Sequence, residues 1–277
     1  MKIAFASDLH TEASGIDLNT GDSDVFAAIG DIMAPRGRLR AHEEHEGVWW
    51  LRERVDDKPV LFVPGNHDYE GSKPMEALEA MRRSAEGSNI HVLWNESVDI
   101  GGVRFLGTPL WSNPFQGRED NAIEIARAIE HGTDLNRVYG EDGKPLPVQW
   151  VIEQHEQARR FLLDELTRDL HIPKVVLTHW APSARSQKPE YASKITAGYW
   201  ASDSEDLVAL ANVWLHGHIH DTVDYRIGND PERGRVMSNP RGWSKTFGLP
   251  TNVNFIQPKI IEVAGWDLAP ARKPAFG

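Results

Sequence analysis

The chain carries five short polar clusters, and each closes a run of apolar, β-type residues. Asp8 and His10 follow Lys2 to Ala6, and Gly30 and Asp31 follow Val25 to Ile29. Gly65, Asn66, His67 and Asp68 come after Val60 to Val63 and a proline. His179 follows Lys174 to Thr178, and His216, Gly217, His218, Ile219 and His220 follow Val213 to Leu215. Short apolar runs bounded by turn residues read as buried strands. All five clusters are therefore expected at strand ends, where they can meet along one edge of a sheet.

Taken singly, most of the clusters are ordinary turns; taken together they offer carboxylates, imidazoles and an amide oxygen at ligand spacing. Residues two apart in extended chain point to the same side, so Asp8 with His10, and His218 with His220, can each grip an ion from one direction. Asp31, released by the flexible Gly30, can bridge two cations with its two oxygens. Asn66 offers a neutral oxygen ligand, His67 a proton donor, and Asp68 a group to fix the tautomer of that histidine. His216 belongs to its strand end and reads as a buried, hydrogen-bonded histidine outside the ligand set.

The ordered pattern D-x-H, G-D, G-N-H-[DE], a lone H and G-H-x-H resembles the calcineurin-like metallophosphoesterase family, and it spans Asp8 to His220. The resemblance implies that Asp8, His10, Asp31 and His220 hold one divalent ion and that Asp31, Asn66, His179 and His218 hold a second. It also implies His67 as catalytic acid with Asp68 as its partner, and Asn66 and His67 as substrate contacts. Ser238, Asn239, Pro240, Arg241, Gly242 and Trp243 are similar to a segment that borders the active site in small bacterial and phage members, which makes Arg241 a candidate substrate contact. Two ions roughly 3.5 to 4 Å apart would activate a bridging hydroxide and clamp phosphate oxygens for in-line attack. The implied function is hydrolysis of a small phosphate ester, first a phosphodiester of nucleotide or cyclic nucleotide type. Phosphomonoesters, including phosphoproteins, come next; a nuclease or a catalytically silent scaffold is less favoured.

Strands alternating with helices early in the chain, followed by short strands after Val213, predict an α/β fold: a four-layer αββα sandwich of two mixed sheets flanked by helices. Helical stripes are expected at Val48, Leu51 and Val55 and at Ala158, Leu162, Leu166 and Leu170. Late strands are expected within Thr222 to Ile227, Arg235 to Ser238 and Lys259 to Val263, and a loose end from Ala269 to Gly277. Ligands drawn from Asp8 to His220 must converge, so 1–277 is expected to be one domain, with a cap or loop segment inserted at about 111–154. In the resembled family such insertions shape substrate choice, so Trp111, Asn113, Phe115, Asp134 and Asn136 are candidate substrate contacts.

With 41 acidic and 30 basic residues the formal charge is −11, which disfavours a long nucleic acid as partner. No cysteine is present, so the donors are histidine and oxygen, suited to Mn²⁺ first and to Fe or Zn²⁺ as well. No apolar stretch approaches the roughly 20 residues of a membrane span, and Lys2 runs directly into the first strand without a secretory pattern. A cytoplasmic location and a small phosphorylated partner are the matching expectations; the oligomeric state is left open.

Overall fold

The structure, a computed structural model, describes residues 1–40 and 42–265 of the 277. Strands β1 (Lys2–Ala6), β2 (Val25–Ile29), β3 (Val60–Val63) and β4 (Ile90–Val92) alternate with helices α1 (Glu46–Arg52) and α2 (Pro74–Ala85). A hairpin of β5 (Glu96–Ile100) and β6 (Val103–Thr108) follows, then α3 (Ala122–Gly132), α4 (Val148–Thr167) and β7 (Lys174–Thr178). Three one-turn helices, α5 (Pro189–Ala192), α6 (Ala197–Trp200) and α7 (Glu205–Val208), precede β8 (Val213–His216), β9 (Asp224–Arg226), β10 (Arg235–Ser238) and β11 (Ile260–Glu262). The last three strands fall within the tracts read from the sequence.

Among the described residues the strands form two mixed sheets, ordered β11-β1-β2-β3-β4 and β5-β6-β7-β8-β10-β9. Within the first, β1 to β4 run parallel and β11 is antiparallel to β1; within the second, β6, β7, β8 and β10 run parallel between antiparallel edges. Alternation along the strands decides how these layers stack. Ile3 and Phe5, Leu61 and Val63, Phe105, Val175 and Leu177 point into one core between the sheets. Ala4, Phe26 and Phe62 face outward under Val48, Leu51, Leu78 and Met81 of α1 and α2, while Val176 and Trp214 face α4 through Leu162 and Leu166. The result is the αββα order expected.

Two local expectations are corrected. The stripe on α4 stops at Leu166, because the helix ends at Thr167 and Leu170 is exposed. The Lys174 ammonium takes the carbonyls of Leu166 (3.1 Å), Arg168 and Asp169 (3.2 Å) and holds the chain in its turn. The upper bound of the insertion, residue 154, lies inside α4. Its irregular part therefore ends at Pro147, after a helical turn Asp134–Arg137 and a loop closed by the Tyr139–Pro145 bridge. The stretch Ala269 to Gly277 lies outside the described residues. Among those described, no helix is long and apolar enough to cross a membrane.

Candidate metal centre

Parallel strands deliver their C-terminal ends to the same edge, and the ends of β1, β2, β3, β7 and β8 carry the five clusters. The chain turns sharply there. Asp8 (φ 51°), His10 (φ 43°), Asp31 (φ 53°) and His218 (φ 65°) all take the left-handed conformation, which costs a non-glycine residue roughly 1–2 kcal/mol. Neighbouring turns lock them: Asp8 N donates to Gly30 O (2.9 Å), His10 N to Asp31 O (3.0 Å), and His218 N to Asp8 Oδ1 (3.1 Å). Gly65 has no tolerance for a side chain, since a methyl there would collide with Asp31 Oδ1 and His179.

The side chains so held form two groups joined through Asp31. Asp8, His10 and His220 each offer a ligand atom within 4.8 Å of the others, as do Asp31, His179 and His218. A third such group, His10, Asp31 and His67, lies between them. Asp8, His10, Asp31, His179 and His218 are buried, and Asn66 is 3% exposed with its Oδ1 2.9 Å from His179 Nε2.

Donor chemistry in this cluster fits cations. His179 gives its Nδ1 proton to Ile29 O at 3.0 Å, leaving a lone pair on Nε2 aimed at the Asn66 oxygen. Two acceptors face each other, and a positive charge must lie between them. Without one, His179 takes up a proton: burial opposes it, but Asp31 and Asp8 raise its pKa to about 9. His218 Nε2 is buried with no hydrogen-bond partner, while burial and its cationic neighbours hold its pKa well below the ordinary value. A neutral imidazole with a free lone pair is the state that binds metal. Asp31 is buried too, yet His179 and His67 keep its carboxylate ionised.

Asp68 requires a correction. It does not touch His67; its carboxylate accepts the N–H groups of Asp31 (2.8 Å), Gly65 (2.8 Å) and Ile32 (3.2 Å), stapling the second and third clusters together. Burial and the charge of Asp31 push its pKa up to about 7. The carboxylate beside His67 belongs to Glu70, whose Oε1 lies 2.7 Å from Nδ1. His67–Tyr69 is a 3₁₀ turn, in which residues three apart lie over one another and adjacent residues diverge. Burial disfavours the charged ring, but Asp31, Glu70 and Asp134 raise the pKa of His67 to about 10.

Four substrate-contact expectations are also corrected. Arg241 is fully buried and donates to Leu9 O (2.7 Å), Ser14 O (2.7 Å) and Gly15 O (3.1 Å), clamping the loop that follows Asp8. Trp111 is 1% exposed and packs in an aromatic cluster, stacked on Tyr69, tilted on Trp180 and edge-on to Trp150. Asn113 folds its Oδ1 onto Phe115 N (3.1 Å), and neither residue lines the cavity over the centre. That cavity, of about 830 Å³, is lined by Asn66, His67, Asp134 and Asn136, as expected, and by Lys188, Tyr191, Trp200 and Trp243. Trp243 stacks on His10 at 4.3 Å, so its segment borders the candidate donor cluster; Trp200 stacks on His218 at 4.8 Å. His216 hydrogen-bonds Ser186 Oγ (2.9 Å) and Gly217 O (2.9 Å), apart from the ligand groups.

An αββα sandwich whose strand ends gather this donor set belongs to the class of metal-dependent phosphoesterases. The chain is a member of the calcineurin-like phosphoesterase family, whose model matches residues 1–222. It is similar to an uncharacterized protein of Acanthamoeba polyphaga mimivirus, with 22% identity over 250 residues, 80% of this chain and 86% of that one. Its fold is shared with the crystal structure of phosphopantetheinyl hydrolase from Mycobacterium tuberculosis: TM-score 0.63, 17% identity, 87% of this chain and 89% of that chain covered.

Proposed function

We propose that the enzyme hydrolyses small phosphodiesters, with nucleotide-like compounds as the leading class. Asp8, His10, Asp31 and His220 would hold one divalent ion, and Asp31, Asn66, His179 and His218 the other. When bound, the ions supply Lewis-acid polarisation of the phosphate and a nucleophile at neutral pH. His67 holds a proton at Nε2 for the departing oxygen, with Glu70 fixing its Nδ1 side. Asp68 keeps the turns in register.

The preference for a diester rests on the charges around the cavity. Its lining Lys and Arg side chains are already engaged: Lys188 with Asp221 at 2.8 Å and Arg137 with Glu70 at 3.2 Å. The Asp134 carboxylate faces the same space. Among the described residues the Lys and Arg side chains of this wall are paired, so a monoester dianion brings one charge more than the His67 imidazolium meets, whereas a diester brings one. Trp243 and Tyr191, both partly exposed on the cavity wall, offer flat surfaces to a base or similar ring.

The test is the Mn²⁺-loaded protein assayed on p-nitrophenyl phosphate, bis-p-nitrophenyl phosphate, cyclic nucleotides, a phosphopantetheinyl ester and single-stranded DNA. A higher kcat/KM for diesters, with two metal equivalents by elemental analysis, is expected. Faster turnover of the monoester would overturn the charge argument, and no turnover with both metals bound would return the scaffold reading.

A further inference from the structure

Asn66 is set between His179 and Asp134. Its Oδ1 faces His179 Nε2 at 2.9 Å, and its Nδ2 donates to Asp134 Oδ2 on the opposite side. Asp134 comes from the insertion, on the turn Asp134–Arg137 that Thr133 caps through Leu135 N (3.3 Å). Its other oxygen accepts from Tyr199 OH at 3.3 Å. The same segment is tied to the loop after the third cluster: Gly71 N donates to Arg137 O (2.8 Å) and Tyr139 N to Ser72 O (3.0 Å). Asp134 therefore does not hang over the cavity from a free loop; it is bolted to the turn that carries Asn66.

The two ends of a side-chain amide are nearly identical in shape and opposite in polarity. An asparagine ligand is useful only when its oxygen faces the cation, and the flipped amide would turn two N–H groups toward it. Of the neighbours of Asn66, the Asp134 carboxylate accepts only, so it forces the NH₂ end outward. We infer that Asp134 is a positioning residue of the metal centre, setting the amide of Asn66 so that its oxygen serves the ion shared with Asp31, His179 and His218. The insertion is thereby part of the metal centre as well as the cavity wall. This inference rests on Asn66 being a ligand in the proposed function.

The experiment titrates Mn²⁺ into chelator-stripped protein by calorimetry, with the melting temperature of each metal-free variant recorded. Asn66→Ala is expected to weaken one of the two binding steps. Asp134→Ala should weaken the same step by about 10- to 100-fold, the usual cost of losing a partner behind a ligand, and leave the other step unchanged. Asp134→Asn retains an acceptor oxygen and should recover most of that loss. In an Asn66→Asp background the carboxylate has no wrong end, and a like charge at residue 134 only repels it. There Asp134→Ala should strengthen binding, a reversal of sign.

Equal affinities of wild type and Asp134→Ala would overturn the inference while leaving Asn66 a ligand. So would an Asp134→Asn loss as large as that of alanine, which marks a charge effect. Should Asp134→Ala melt out, Asp134→Asn should bind close to wild type while Asn66→Asp/Asp134→Asn should bind more tightly than Asn66→Asp, and a large loss in the first or weaker binding in the second would overturn the inference. Unchanged binding in Asn66→Ala would instead refute the ligand assignment beneath it.

Discussion

Replacing Arg241 with methionine separates a clamp from a substrate contact. The guanidinium is fully buried, and the carbonyls of Leu9, Ser14 and Gly15 receive its hydrogen bonds at 2.7, 2.7 and 3.1 Å. Methionine keeps most of the apolar stem and leaves the carbonyls of Leu9 and Ser14 without a donor, while Gly15 O keeps Gly248 N at 3.2 Å. A buried unpaired acceptor costs roughly 1–3 kcal/mol, and relief from burying the charge returns part of the total. The net loss should be about 2–4 kcal/mol, which lowers the urea midpoint by on the order of 1 M at ordinary slopes. Since the clamped loop follows Asp8 and His10, Mn²⁺ binding should weaken with it, and KM for the metal-saturated enzyme should hardly move. Equilibrium urea melts followed by circular dichroism, with Mn²⁺ calorimetry beside them, measure both. An unchanged midpoint together with a raised KM would refute the clamp and restore the substrate contact.

Three further outcomes follow from the same geometry. Glu70→Gln should lower kcat by roughly 10- to 100-fold on diesters with alkyl leaving groups and far less on nitrophenyl esters, whose leaving group needs little protonation; an equal loss on both would detach Glu70 from His67. Trp243→Ala should raise KM for ring-bearing substrates by roughly 3- to 10-fold more than KM for methyl diesters, the value of one aromatic stack, and equal KM values for ring-bearing and methyl diesters in the wild type would count against it. His45 is buried and neutral, accepting Val48 N at Nδ1 (3.3 Å) and donating from Nε2 to Asp68 O (3.0 Å). Burial lowers its pKa from 6.5 to about 4, so the unfolded chain binds the extra proton between those values. Its contribution is whole above pH 6.5 and drains away as pH falls toward 4, on the order of 3 kcal/mol in all. The urea midpoint of chelator-stripped His45→Gln should therefore vary less across that window than the wild type, and parallel curves would contradict this.

What could be read from the chain was set by residue type and its place at a strand end. Asp8, His10, Asp31, His179, His218 and His220 were legible because apolar runs announce their strands and the donors stand just beyond them. Direction was harder. Asp68 and Glu70 are both acids beside His67, and only the tight 3₁₀ turn assigns one to the imidazole and the other to the backbone. Arg241 and Trp111 carry the chemistry of a binding site but are consumed by carbonyls and by an aromatic core, a matter of tertiary packing. Asp134 was picked out with the insertion as a contact for substrate; its hold on Asn66 depends on a fold that joins residues 68 apart in sequence.

The first strand of the chain lies inside its sheet, between β2 and β11. It acquires its second neighbour only when Lys2 pairs with Glu262, and the loop beyond it is secured by Arg241. During synthesis, then, Lys2 waits for Glu262. Asp8 and His10 leave the ribosome hundreds of residues before His218, His220 and Arg241 exist to complete their surroundings. A product cut short before His218 lacks a donor from each of the two groups joined through Asp31, so neither group can form on the early part of the chain alone.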